Sequence, residues 1–334
     1  KCPARLNMTI WHEASQSPPQ DRPLIPPITV GNLPHEQVTL AEVLQETGYH
    51  TTHIGKWHLG GTEYYPETHG FDVNIGATLW GAPNTYFYPY RGDENYREYR
   101  YVPHLEFGEE GEYLTDRLTS EALDVMKKVK DQPFFLYLSY HTVHTPMDGK
   151  PDLVKHYRDK IESDMHHQNP YFAAMVDSMD QNVGRVLQGI KDLGIEENTV
   201  VVFFSDNGGY INEHRGMQVN NNYPLRSGKG SLYEGGIRVP MIVNWPGVTT
   251  PGSECHEPVS SVDFYPTLLE MAGLGGDPEH NATVDGISLV PLLRDPDAVL
   301  PRDTLYWHYP HYYPTTSPVS AVRAQPSAVT FGIS

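Results

Sequence analysis

The chain has 334 residues, 38% hydrophobic and 20% charged, which suits a buried core in one large or two ordinary domains and excludes a disordered chain. A net charge of −18, from 24 Lys and Arg against 42 Asp and Glu, argues against a nucleic-acid partner, because phosphate backbones need basic surface; a local cluster of Lys and His can still receive an anion. With only Cys2 and Cys255 there is no disulfide framework and no cysteine zinc site, and no apolar run approaches the roughly 20 residues of a membrane span.

Residues 1–36 are Pro-rich and aperiodic, as in an extended surface stretch. TLAEVLQETG then reads as a helix: Thr39 and Glu42 make a capping box, Leu40, Val43 and Leu44 give one apolar face, and Gly48 stops it. HTTHIG follows as a short strand, and residues 62–112 read as a long decorated loop region. Residues 114–130 form a second helix with Leu118, Ala122, Val125, Met126 and Val129 on one stripe, and FFLYLSY (134–140) an apolar strand. Residues 170–193 form a long third helix, with Phe172, Met175, Val176, Met179, Val183, Val186, Leu187 and Ile190 at helical spacing. TVVVFFSD is a nearly all-apolar strand, VPMIVNWP (239–246) another, and SSVDFYPTLLEMAGL (260–274) a further helix with Ser261 as a candidate cap. Apolar strands between helices predict an α/β fold with a mostly parallel central sheet and helices on both faces. In such sheets ligands bind beyond the carboxyl ends of the strands.

Chemically capable residues stand at those ends. In FFSDNGG, Asp206 and Asn207 offer adjacent oxygen donors suited to a hard cation such as Ca²⁺ or Mg²⁺; a plain Asx turn competes with that reading. In IGKWHLGG, Lys56 and His58 alternate on one side of an extended segment with Trp57 pointing away, suiting an anionic group that must be held and protonated; a surface lysine beside a structural histidine is the bland alternative. His141 and His144 in YHTVHTP lie just beyond a strand, with no carboxylate or cysteine set nearby to complete a zinc site; packed or surface histidines are the alternative. In SGKGSLYEGG, Lys229 is flanked by glycines that let backbone approach a ligand, or is simply a mobile lysine. Each signal is modest; four at one sheet edge are not an accident.

These segments resemble the formylglycine-dependent sulfatases of the alkaline phosphatase superfamily. GYHTTHIGKWHLGG, PFFLYLSYHTVHTP, VVVFFSDNGG, GKGSLYEGGIRVPMIVNWPG, SSVDFYPTLLEMAG and DGISLVPLL are similar to that family's segments, in the same order, over most of 36–310. The resemblance implies that Asp206 and Asn207 ligate a Ca²⁺-like ion and that Lys56 and Lys229 contact sulfate oxygens. It implies that His144 binds the sulfate and protonates the leaving alcohol, and that His58 supports the formylglycine hydrate and the breakdown of the sulfated intermediate. His141, His214 and Arg215 are weaker candidates for substrate contact.

The ends depart from the pattern. The family's nucleophile is a Cys or Ser in C/S-x-P/A-x-R followed by Thr-Gly; KCPARL is one residue too short and lacks the Thr-Gly, so Cys2 is rejected as nucleophile. The expectation is a catalytic domain over 1–310 lacking its first strand, its nucleophile segment and an N-terminal Asp pair. Residues 311–334 are then expected to be the remnant of a link to a missing C-terminal subdomain, with AQPSAVTFGIS unlike the family. The implied function is hydrolysis of a carbohydrate or aryl sulfate ester by the full-length parent, this chain alone being inactive. The alternatives are a phosphoryl hydrolase on the same fold and a non-catalytic sulfatase-like fragment. A small-molecule or glycan sulfate ester is the expected partner, with neither nucleic acid nor membrane span, and the expected location is periplasmic or extracellular.

Overall fold

A computed structural model describes residues 1–91, 100–324 and 327–332; residues 92–99 of the long loop region and part of the AQPSAVTFGIS tail lie outside the described residues. The chain forms two compact units: Asn32–Glu196 with Asn212–Asn221, and Lys1–Gly31 with Glu197–Ile211 and Asn222–Ser334.

The first of these units holds the parallel sheet. Helix α2 (Leu40–Glu46) starts at the capping box read from sequence: the Thr39 side chain accepts from the Glu42 N–H at 3.1 Å, and the Thr39 N–H donates to the Glu42 carboxylate at 2.6 Å. Strand β1 (His50–Gly55) lies between β2 (Val73–Ile75) and β3 (Phe134–Ser139), parallel to both, with Thr52 opposite Val73 and Gly55 opposite Ser139. Its residues from Thr51 to Gly55 are all buried, as expected for a central parallel strand. Ala41, Trp57, Phe71 and Ala77 form a core cluster beside it.

Helix α3 (Leu114–Val129) buries its predicted stripe. Helix α5 (Pro170–Asp192), preceded by the shorter α4 (Pro151–Lys160), departs from expectation: its buried face includes Met175, Ser178, Asn182 and Ile190, whereas Val176 and Leu187 are 36% and 47% exposed. The reason is polar. Asn182 donates to the Asp116 carboxylate of α3 at 2.6 Å, and Lys150 closes on the same group at 2.6 Å, so the face turned to α3 is the one that satisfies Asp116. A two-residue turn, Arg215-Gly216, with both φ positive, joins β5 (Glu213–His214) to β6 (Met217–Gln218), the geometry favoured in tight hairpins.

The second unit begins with a 3-10 turn at Pro3–Leu6 and one α-helical turn, α1 (His12–Ser15). Strand β4 (Val201–Phe204) pairs antiparallel with β7 (Met241–Asn244), Phe204 opposite Met241. The apolar run of β4 was expected to lie in the parallel sheet, covered on both faces. Instead its residues are half-buried and Ile242 of its partner is 65% exposed. A short helix α6 (Glu234–Ile237) precedes β7, and α7 (Phe264–Met271) follows a 3-10 turn capped by Ser260, one residue before the expected Ser261, in a capping box with Asp263. Beyond the short α8 (Pro278–Asn281), helix α9 (Val290–Arg294) contributes to a small core of Leu289, Leu292 and Leu300. Strands β8 (Thr304–Tyr309), β9 (Val319–Ala324) and β10 (Ser327–Gly332) form an antiparallel sheet in which Thr304 faces Ala324. The boundary expected at residue 310 therefore falls between two paired strands of one sheet.

Candidate active site

The histidine group stands at the carboxyl ends of β1 and β3. Immediately beyond β1, the Lys56 N–H donates to the Ser139 carbonyl at 2.7 Å, and the Ser139 hydroxyl donates back to the Lys56 carbonyl at 2.7 Å. Lys56 is thus fixed to the end of β3 from which the His141–His144 loop departs. Trp57 turns into the core and donates its indole N–H to the Tyr64 carbonyl at 2.8 Å. The segment is not extended throughout: His58 has φ 61°, a left-handed conformation that costs a non-glycine residue about 1–3 kcal/mol and recurs where function holds a side chain in place. Its ring lies against Gly81, where an added Cβ would stand 2.5 Å from Cε1, so only glycine gives that ring its place.

His141 is the buried centre of this group, 6% exposed. Burial first, then the charges of Lys56, His144, His53 and His58, push its pKa down to about 3. A ring held neutral gives no positive charge to an anion, so His141 serves as a neutral donor or acceptor. His144 directs Nδ1 at the Thr145 carbonyl, 2.8 Å away. That carbonyl only accepts, so Nδ1 carries the proton and Nε2 is the nitrogen that gains and releases one. No local motif marks the residue that holds this loop. Tyr86, fully buried within the long loop region, donates its hydroxyl to the carbonyls of His141 (2.7 Å) and His144 (3.1 Å), and its N–H reaches the Asp148 carboxylate at 3.2 Å. Asp148 also acts electrostatically on His214, whose pKa is lowered by burial and by Arg215 and raised by Asp148. His214 and Arg215 thus sit at the tip of the β5–β6 hairpin, with Asp148 as the acidic neighbour.

The other unit holds Asp206, Asn207 and Lys229. They follow β4 and precede α6 on two loops joined backbone to backbone: the Lys229 N–H donates to the Gly209 carbonyl at 3.1 Å and the Gly208 N–H to the Gly236 carbonyl at 3.0 Å. A Cβ on Gly208 would overlap the Gly235 carbonyl, which is why glycines crowd both motifs. Asn222, another residue that sequence reading missed, receives the Gly209 N–H at 3.1 Å and donates to the Gly209 and Ser227 carbonyls at 2.9 and 3.0 Å. Asp206 and Asn207 carry side-chain oxygens, as the cation reading requires, but no group of three or more His, Cys, Asp or Glu able to hold a metal occurs among the described residues.

Cys2 is far from an activated thiol. Its N–H donates to the Asp285 carboxylate at 2.7 Å, and burial followed by the Asp285 charge pushes its pKa up, the opposite of what a nucleophilic cysteine needs. No helix among the described residues is long and apolar enough to cross a membrane.

Residues 12–274 match the Sulfatase family model, and residues 227–325 match that of the N-sulphoglucosamine sulphohydrolase C-terminal region. A sulfatase of Formosa agariphila is 33% identical over 335 residues, covering 87% of this chain and 60% of that protein. The human N-acetylgalactosamine-6-sulfatase is 33% identical over 280 residues, covering 79% of this chain and 50% of that protein. The chain thus spans 60% and 50% of the length of these curated relatives. Among solved structures, Ps i-CgsB superposes with a TM-score of 0.76 at 27% identity, over 97% of this chain and 69% of that one. Fold, motif order and these similarities agree: the chain belongs to the sulfatase family.

Proposed function

We propose that this chain carries the sulfate-handling residues of a sulfuric ester hydrolase acting on a carbohydrate or aryl sulfate ester. The observation that supports the proposal is that Lys56, His58 and His144 all act electrostatically on the buried His141, in a chain of the sulfatase family. Sulfate-ester cleavage builds negative charge on the peripheral oxygens and on the leaving oxygen, so fixed cations and a proton donor must be in place beforehand. Lys56, tied to Ser139, holds a peripheral oxygen. His144, with Nδ1 committed to Thr145, delivers a proton from Nε2 to the departing alcohol. His58 takes and returns a proton on the attacking side, and Lys229 holds a further sulfate oxygen. His141 orients its neighbours, and His214 with Arg215 meets the substrate's leaving group.

Asp206 and Asn207 are proposed cation ligands, Ca²⁺ being favoured over Mg²⁺ by carboxylate and amide oxygens in a loop. Formylglycine, when present in such an enzyme, supplies the attacking oxygen, and Cys2 is not its precursor. Carbohydrate sulfate is supported by relatives named for N-acetylgalactosamine-6-sulfate and by a 30% identical neighbour, Ps i-CgsB, solved with k-i-k-neocarrahexaose. A periplasmic or extracellular location fits that substrate class.

The test is sulfate release from 4-nitrophenyl sulfate by the native enzyme and its Lys56→Ala variant. Loss of one preorganised cation is expected to lower kcat by about 10²–10³ with little change in melting temperature. Unchanged turnover removes Lys56 from the mechanism.

A further inference from the structure

We propose that a cleft in the Lys229-bearing unit is a subsite for an uncharged sugar ring of the substrate; this rests on the sulfate-ester reading above and names the neighbour of the sulfated unit. The cleft has a volume of about 420 Å³ and is lined by Trp11, Tyr210, His311, Tyr312 and Tyr313, with prolines of the N-terminal stretch as walls. That volume falls in the range of small-ligand sites, roughly 300–1,000 Å³. It is continuous with the loops already described. Tyr210 is three residues beyond Asn207. The Tyr313 ring occupies the space that a Cβ on Gly230 would take, next to Lys229. The Thr315 hydroxyl donates to the Lys229 carbonyl at 2.7 Å.

The lining carries no Lys, Arg, Asp or Glu. His311 is 3% exposed, its Nε2 lies 2.7 Å from the Thr9 hydroxyl, and burial lowers its pKa, so it stays neutral. Burial likewise pushes the Tyr313 hydroxyl up to about 12, which keeps its proton in place. Arg22 contacts the Tyr312 ring, 5.8 Å from its centroid, without joining the lining. What remains is aromatic faces with neutral hydroxyls. A pyranose offers an apolar C–H face to an aromatic ring and hydroxyls at its rim. A sulfated or carboxylated ring would meet no counter-charge there, in a chain of net charge −18. Trp11, 42% exposed and edge-on to Tyr313 at 6.0 Å, is the accessible platform. The Leu24 N–H donates to the Tyr312 hydroxyl at 3.2 Å, and the wall prolines have fixed φ, so little order is lost on binding.

The experiment is isothermal titration of the native protein with neutral tetrasaccharides of galactose, glucose and N-acetylglucosamine, and with a polysulfated galactose tetrasaccharide. Trp11→Ala and Tyr312→Ala are compared with wild type, thermal melts confirming the fold. At least one neutral tetrasaccharide is expected to bind, about tenfold more weakly to either alanine variant, with Trp11→Phe recovering most of the loss. The polysulfated probe is expected to bind no more tightly than its neutral counterpart. Neutral probes that do not bind wild type, that bind all variants equally, or that are outcompeted at Trp11 by the polysulfated chain overturn the subsite. Because the neutral probes carry no sulfate, their result is independent of the sulfate-release assay: Trp11-dependent binding by a native protein that releases no sulfate from 4-nitrophenyl sulfate leaves the subsite standing and removes the sulfate-ester reading.

Discussion

The two units differ in how they bury their most enclosed titratable groups. The unit built on β1 and β3 seals His53 and His141 inside as neutral rings, each pushed down to about 3 with burial as the leading cause. The other unit buries a charge with its partner attached. Asp263 is 0% exposed and receives Arg302 through two bonds, at 2.7 and 2.8 Å, together with the N–H groups of Ser260 and Ile287 at 2.9 and 3.0 Å. Neutral burial is harmless until the pH falls. Paired burial is harmless until a partner is lost. The two units should therefore fail under different insults.

The largest effect is expected from Asp263→Ala. It strands the Arg302 guanidinium, whose side chain is 14% exposed, and removes the acceptor that caps the turn before α7. Removing one partner of such a pair costs about 3–5 kcal/mol. Urea denaturation should show that loss, and hydrogen exchange should place it in α7, α9 and β8 rather than in β1 and β3. A loss under about 1 kcal/mol, or exchange rising equally in both units, would erase the contrast.

Acid should act most on the other unit, which holds the two rings pushed down to about 3. With folded values below the ordinary 6.5, His53 and His141 bind protons more readily in the unfolded chain between about pH 3 and 6.5. Stability from this source is complete above 6.5 and falls as the pH drops, by about 1.4 kcal/mol per pH unit for each ring. Hydrogen exchange at pH 7 and pH 5.5 should show β1 and β3 losing protection first. Flat stability over that interval would mean that the rings admit a proton without opening the unit.

These failures also divide what the sequence makes legible from what it hides. Short-range chemistry is readable: the Thr39–Glu42 box, the β1 run and the stripe of α3 follow from spacing alone, and the glycines of SDNGG and SGKG announce two close-packed loops. What spacing cannot carry is a partner chosen across the chain. The α5 stripe differs from the spacing because Asp116, 66 positions before Asn182, decides which face turns inward. β4 looks like an interior parallel strand because apolar content does not name the strand that will pair with it, and β7 pairs antiparallel. The site follows the same rule. Lys56, His58, His144, Asp206, Asn207 and Lys229 stand in recognisable motifs, whereas Tyr86 and Thr315 act on backbone carbonyls far along the chain, Asn222 bridges two neighbouring loops, and none of the three leaves a local signature.

Tyr86 is where that hidden layer meets the chemistry. One hydroxyl serves two carbonyls, those of His141 and His144, so its removal leaves two buried acceptors short of a donor while the ring still fills its space. Tyr86→Phe should cost only about 1 kcal/mol in stability. Its larger consequence should be positional under the proton-donor role proposed for His144, because a donor displaced by a fraction of an ångström loses much of its rate advantage. In the native enzyme kcat for an aryl sulfate should fall about tenfold, more than KM rises. The matched control is Thr119→Val, which removes the partly buried 2.6 Å bond between Thr119 and Tyr140 and the Thr119 hydroxyl's bond to the Thr115 carbonyl, neither of which touches the histidine carbonyls. If both variants lower kcat equally, the loss reflects general loosening of the unit. If Tyr86→Phe alone does so, and the acid limb of its pH profile shifts while that of Thr119→Val does not, the hydroxyl is acting through the position of His144.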